Sequence, residues 1–109
     1  MAHFLIRPEL NNAKEGDYDR LHDAMYMRKA YKVIKLDDGT WRDLPTGTYD
    51  MENEGTNLDV YTVAVAALNS IGKVNSGNRR DFELIVCKRS GSHSDLRYNT
   101  DKSKLPPNA

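Results

Sequence analysis

Arg20, His22 and Arg28 lie close together in the first third of the chain, and their side-chain types are those that phosphodiester chemistry uses. With an unperturbed pKa of about 6.5, a histidine can give or take a proton near neutral pH, so His22 is the candidate acid or base. Arg20 is the candidate cation at the phosphate, because a guanidinium keeps its charge and forks onto two oxygens. On a helix, however, residues two apart point about 200° away from each other. One chain therefore has difficulty aiming both groups at the same phosphate. The plainer reading of His22 is a solvated or packed histidine on a helix surface.

Arg7, Arg28 and Arg42 are the candidate RNA-binding residues, with Lys35 beside them. Isolated charges on strands also serve as a solvated face or as edge protection. Arg79-Arg80 and Lys88-Arg89 flank an aliphatic run, either as a basic rim or as gatekeepers against aggregation. Trp41 is a core plug, a stacking platform or a dimer anchor. His3, His22 and His93 lie far apart, and no CxxC, HExxH, phosphate loop, GxSxG or dinucleotide fingerprint occurs. No metal and no cofactor are therefore expected.

The elements that must position these residues follow from hydrophobic period. HFLIRPEL, residues 3–10, alternates as a strand, with Phe4 and Ile6 on one face and Pro8 near its end. Tyr18, Leu21 and Met25 are spaced as one face of a helix over residues 17–30. YKVIKL and TWRDL flank Asp38-Gly39, a hairpin dipeptide of the type I′ kind, and the second strand resumes after Pro45 and Gly47 through Met51. Thr56 to Asp59 resembles a capping box. Leu58, Tyr61, Val65, Leu68 and Ile71 then continue at helical spacing to Gly72. Residues 73–80 read as a loop, and DFELIVCK, residues 81–88, as the last strand.

The order β-α-β-β-α-β predicts an α+β, ferredoxin-like fold, a four-stranded antiparallel sheet with two helices on one face. It occupies residues 1–90. Pro8 and Pro45 then fall awkwardly in central strands. Residues 91–109 are polar, end in Pro-Pro-Asn-Ala and offer little apolar area, so a mostly disordered C-terminal tail is expected.

Sixteen basic and sixteen acidic residues cancel, which argues against binding nucleic acid by bulk charge. The halves differ: residues 1–55 carry 8 basic and 11 acidic side chains, net −3, and residues 56–109 carry 8 and 5, net +3. A basic face or a head-to-tail attraction between copies is compatible with that split. The longest apolar run, Val63 to Leu68, is far short of the roughly 20 residues of a membrane helix. The single cysteine, Cys87, excludes an internal disulfide and suits the cytoplasm, so the expected localisation is cytoplasmic, with no membrane association.

The segments FLIRPEL, DYDRLHDAM and DDGTWRDLPTGTY together resemble the GhoS-type group of small bacterial and phage proteins over about residues 4–51. That family takes its name from the antitoxin of a type V toxin–antitoxin pair, a ferredoxin-like endoribonuclease that cleaves its toxin's messenger RNA. The resemblance implies the same fold and a metal-independent action on RNA. In the antitoxin an arginine on the first helix, two positions after another, is tied to cleavage; here Arg20 matches the first and His22 the second. Histidine keeps a proton-transfer group there and loses the permanent charge. Two functions follow as expectations: an RNA-directed regulator or antitoxin with endoribonuclease activity, or a non-enzymatic module of phage or mobile-element origin. The second would act as a homodimer and bind a protein partner through its open sheet face or an edge strand.

Overall fold

The computed structural model of the chain describes residues 2–89 and 96–107. In order, the strands and helices are β1 (Ala2–Leu10), α1 (Asp17–Met27), β2 (Ala30–Tyr31), β3 (Val33–Lys35), β4 (Trp41–Asp43), β5 (Tyr49–Asn53), α2 (Asn57–Ser70), β6 (Asn75–Ser76), β7 (Arg79–Arg80) and β8 (Phe82–Arg89). A 3-10 turn over Lys102–Lys104 follows. The main sheet has the order β2-β5-β1-β8, and every neighbouring pair is antiparallel.

β1 is central, and its alternation sends Phe4, Ile6 and Leu10 into the core. Leu21 and Met25 of α1, Val60, Ala64, Ala67 and Leu68 of α2, and Tyr49 and Phe82 join them in one buried cluster, so both helices cover the same face. His3, Leu5 and Arg7 point the other way. No helix is long and apolar enough to cross a membrane.

Pro8 is tolerated in the central strand for a specific reason. The β1–β5 ladder ends at Ile6↔Tyr49, while Pro8 still pairs across β8 with Leu84. A Cβ built on Gly47, which has φ +79°, would stand 3.7 Å from the Pro8 carbonyl oxygen. In an antiparallel ladder a residue's N and C=O face the same side, so the missing Pro8 N–H lies where β5 no longer pairs.

The hairpin around Asp38-Gly39 differs from the expectation in three respects. It forms its own two-stranded sheet, β3 with β4, instead of two long strands of the main sheet. The second strand stops at Asp43, Thr48 N–H donates to the Pro45 carbonyl in a turn, and β5 starts afresh at Tyr49, so Pro45 occupies a turn between two sheets. The loop is not type I′: Gly39 has φ +84° and Asp38 has no positive φ. With Gly39 N–H donating to Leu36 C=O and Leu36 N–H to Thr40 C=O, it is a three-residue loop closed by a left-handed glycine.

α1 ends at Met27, earlier than its periodicity suggests, because Lys29 adopts φ +64° and turns Ala30 into β2. Thr56 does form the capping box of α2 with Asp59. The buried face of α2 is Val60, Ala64, Ala67 and Leu68, while Leu58 and Tyr61 are exposed. A helix that is apolar almost all round offers no unique stripe, and the alanines face inward where a close approach is needed. The expected loop at 73–80 contains the short β6–β7 hairpin.

The expectation of a disordered tail is corrected for residues 96–107. Asp43 N–H donates to Arg97 C=O and Asn99 N–H to Trp41 C=O, both at 2.9 Å, so the segment runs along β4. The Arg42 guanidinium lies 3.8 Å from the centre of the Tyr98 ring and donates to Leu96 C=O. Tyr26 Oη donates to Leu105 C=O at 2.8 Å. Composition undercounts this segment because backbone hydrogen bonds and one cation–π stack hold it, not aliphatic burial. The rest of the expected tail, residues 91–95 and 108–109, lies outside the described residues.

Candidate functional site

The cleft that contains His22 has a volume of about 380 Å³. α1 contributes His22, Asp23 and Tyr26; the bend between β2 and β3 contributes Lys32; the C-terminal segment contributes Asp101, Ser103 and Lys104. His22 and Tyr26 are four apart on a helix and so share a face. Tyr26 ties Leu105 to α1, which brings Lys104 opposite Lys32. Asp101 caps the 3-10 turn, its Oδ1 accepting from Ser103 N–H at 3.0 Å and Ser103 Oγ at 2.6 Å. Those bonds hold its carboxyl below the usual carboxylate range, so it stays ionised.

Burial pushes the His22 pKa down, and the Lys32 and Lys104 charges add to the effect, against Asp19 and Asp23. His22 Nδ1 is hydrogen-bonded to the hydroxyl of Tyr49, a fully buried residue. Burial pushes that phenol well up, so it remains protonated. A protonated Tyr49 donating to Nδ1 leaves the ring proton of neutral His22 on Nε2. His22 then presents an N–H donor, with a base only on its inner side. Burial, followed by the nearby Lys104 charge, also lowers the Lys32 pKa. Two ammonium groups and a ring N–H therefore share a half-buried cleft with the carboxylates of Asp23 and Asp101, and Lys104 Nζ also lies 3.8 Å from Asp43 Oδ2, so the lysine charges are balanced within the protein.

The other residues predicted to act on RNA lie elsewhere. Arg20 is exposed at the start of α1 and pairs with Asp17, a carboxylate that also accepts from Lys73 Nζ at 2.9 Å and from Lys14 N–H at 2.8 Å. Arg7 lies on the open sheet face beside Glu9 and Glu83. Arg28 bonds back to the Ala24 carbonyl at 3.0 Å, and Arg42 is occupied by Tyr98 and Leu96. Of the five, the cleft contains His22 alone. Lys32, Lys104, Tyr26 and Tyr49 were not distinguishable in the sequence: Lys32 alternates like any strand lysine, and Lys104 sits in a segment whose composition reads as disordered. Among the described residues no three His, Cys, Asp or Glu side chains converge as metal ligands.

No family model matches the chain, and no curated protein matches it.

Proposed function

We propose that the protein is a small cytoplasmic RNA-binding regulator of the GhoS type, with a ferredoxin-like fold, and that the His22–Lys32–Lys104 cleft receives a phosphate of single-stranded RNA. The carrying observation is the convergence of Lys32, Lys104, the Ser103 hydroxyl and a ring N–H on one concave surface, beside the carboxylates of Asp23 and Asp101. The strand order β2-β5-β1-β8 with both helices on one face supports the fold reading. Endoribonuclease action by Arg20 and His22 calls for two protomers, because Arg20 lies outside the cleft that contains His22 and the two side chains, two apart on α1, point about 200° away from each other.

The test is binding and cleavage of a mixed-sequence RNA pool by the purified chain across salt concentrations. Lys32→Ala and Lys104→Ala are each expected to weaken binding of all sequences alike and to flatten the slope of log affinity against log salt by roughly 0.7 for each phosphate left without its cation. Unchanged affinity and slope in the double variant overturn the reading. Cleavage abolished in His22→Ala and in Arg20→Ala, and restored on mixing the two, supports a shared site between protomers.

A second reading, a non-enzymatic dimer that binds protein, is favoured by β8. This eight-residue strand pairs only with β1 among the described residues and leaves Ile85 58% exposed. A mass that stays monomeric over a wide concentration range counts against it.

A further inference from the structure

On the other side of the β2–β3 bend lies a larger cleft of about 590 Å³, lined by Tyr31, Val33, Trp41 and Pro106 together with the carboxylates of Glu52 and Glu54. Asp50 forms part of its wall and is 7% exposed. Its two oxygens are committed, one to His3 Nδ1 at 2.9 Å and the other to Arg89 Nε at 2.8 Å. Lys29 and Lys35 stand at the same cleft, Lys35 Nζ 5.9 Å from the centre of the Trp41 ring. Three carboxylates face two ammonium groups here, with Arg89 against Asp50 and His3 between Asp50 and Glu52, its Nε2 3.2 Å from Glu52 Oε2, so the wall holds no excess of positive charge. Two aromatic side chains in the lining, Tyr31 held by an edge-on contact with Tyr26 at 5.1 Å between ring centres, carboxylate acceptors beside them and a volume within the ordinary range for small-ligand sites suit a neutral heterocycle with donors on its edge.

The two clefts flank one strip of backbone. Tyr31 lines the larger and its neighbour Lys32 the smaller; on the C-terminal segment, Pro106 lines the larger and Lys104 the smaller. A base in one cleft and a phosphate in the other therefore lie on opposite sides of the same backbone strip.

We propose that the Trp41–Tyr31 cleft is a nucleobase site that takes a guanine base of bound RNA, its N1–H and N2–H groups donating to the two oxygens of the Glu54 carboxylate. The proposal rests on the RNA reading above but can fail separately from it. Trp41 is the only tryptophan, so its fluorescence reports the cleft directly. Titration of the full chain with guanosine is expected to give saturable quenching. Uridine, which stacks less and offers one ring N–H, is expected to quench more weakly, and ribose 5-phosphate not at all. Tyr31→Leu is expected to weaken guanosine binding about 5- to 150-fold, the range of one lost base–aromatic stack. Glu54→Gln, which leaves the walls intact, is expected to weaken guanosine more than uridine. Circular dichroism and thermal melting identify any variant that has lost its fold, and Glu54→Gln carries the test if Tyr31→Leu is one of these.

RNA retention with no quenching by guanosine or RNA overturns the base site and leaves the phosphate reading standing. Guanosine quenching with no RNA retention does the reverse. Quenching by an arginine-rich peptide, with none by any nucleoside, overturns the base site in favour of a protein ligand.

Discussion

Among the described residues, the buried Tyr49 hydroxyl has one hydrogen-bond partner, His22 Nδ1, and that pairing controls what His22 can do. If His22 becomes protonated, Nδ1–H donates to the phenol oxygen and the buried Tyr49 O–H loses its acceptor, a penalty on the charged form in addition to burial. Tyr49→Phe removes that penalty, so the His22 pKa is expected to move upward, toward its ordinary value. An NMR titration of the His22 ring in both proteins measures it, and a downward move contradicts the account. The sign for stability follows: a histidine whose folded pKa is lowered binds more protons when unfolded, so stability falls as pH drops below about 6.5.

Asp17 acts in the same direction at lower pH. The Lys14 backbone N–H, then the Lys73 ammonium, hold its carboxyl at about 2 against an ordinary 3.8. Its contribution is complete above the unfolded value and is lost as pH falls from about 4 to about 2. Asp17→Asn is expected to be less stable at pH 7 and to show a shallower loss over that acid window, measured by urea denaturation at each pH. An equally steep loss in the variant counts against Asp17 as the origin.

At the scale of elements, α2 owes its start to a reciprocal cap. Thr56 Oγ1 accepts from Asp59 N–H at 3.3 Å, and Asp59 Oδ2 accepts from Thr56 N–H at 2.7 Å. Thr56→Ala breaks the first bond and removes the hydroxyl that also donates to Asp59, at an expected cost of about 1 kcal/mol. In a domain of this size that lowers the melting temperature by about 4–8 °C, which calorimetry resolves. A change below about 1 °C, well under that range, shows that core packing, through Val60, Ala64, Ala67 and Leu68, sets the helix without its cap.

At the scale of the molecule, the C-terminal segment connects the β3–β4 hairpin to α1 and completes the cleft around His22. Arg42 and Tyr98 are the joint: their stack and the flanking backbone bonds hold residues 97–99 along β4. Tyr98→Ala is expected to strip hydrogen-exchange protection from the Asn99 amide while leaving β1 amides protected, because the stack lies outside the main core. Unchanged Asn99 protection means that the backbone bonds suffice without the stack.

The sequence alone determined the local features: both helices, the strands at each end of the domain, the Thr56 cap and the presence of a turn at Asp38-Gly39. These depend on side-chain period and on residues with special backbone preferences, which act over a few neighbours. Tertiary structure alone decided the partition of the central hairpin into its own sheet, the buried face of α2, the placement of Pro8 beyond the last β5 pair, and the course of residues 96–107. Each depends on pairings between residues far apart in the chain, such as Lys32 C=O with Leu44 N–H, Arg42 with Tyr98 and Tyr26 with Leu105. The candidate site divides along the same line. His22 was visible because its residue type is rare and titrates near neutrality, whereas Lys32 and Lys104 became site residues only when two segments some seventy positions apart converged on α1, a juxtaposition that no local pattern encodes.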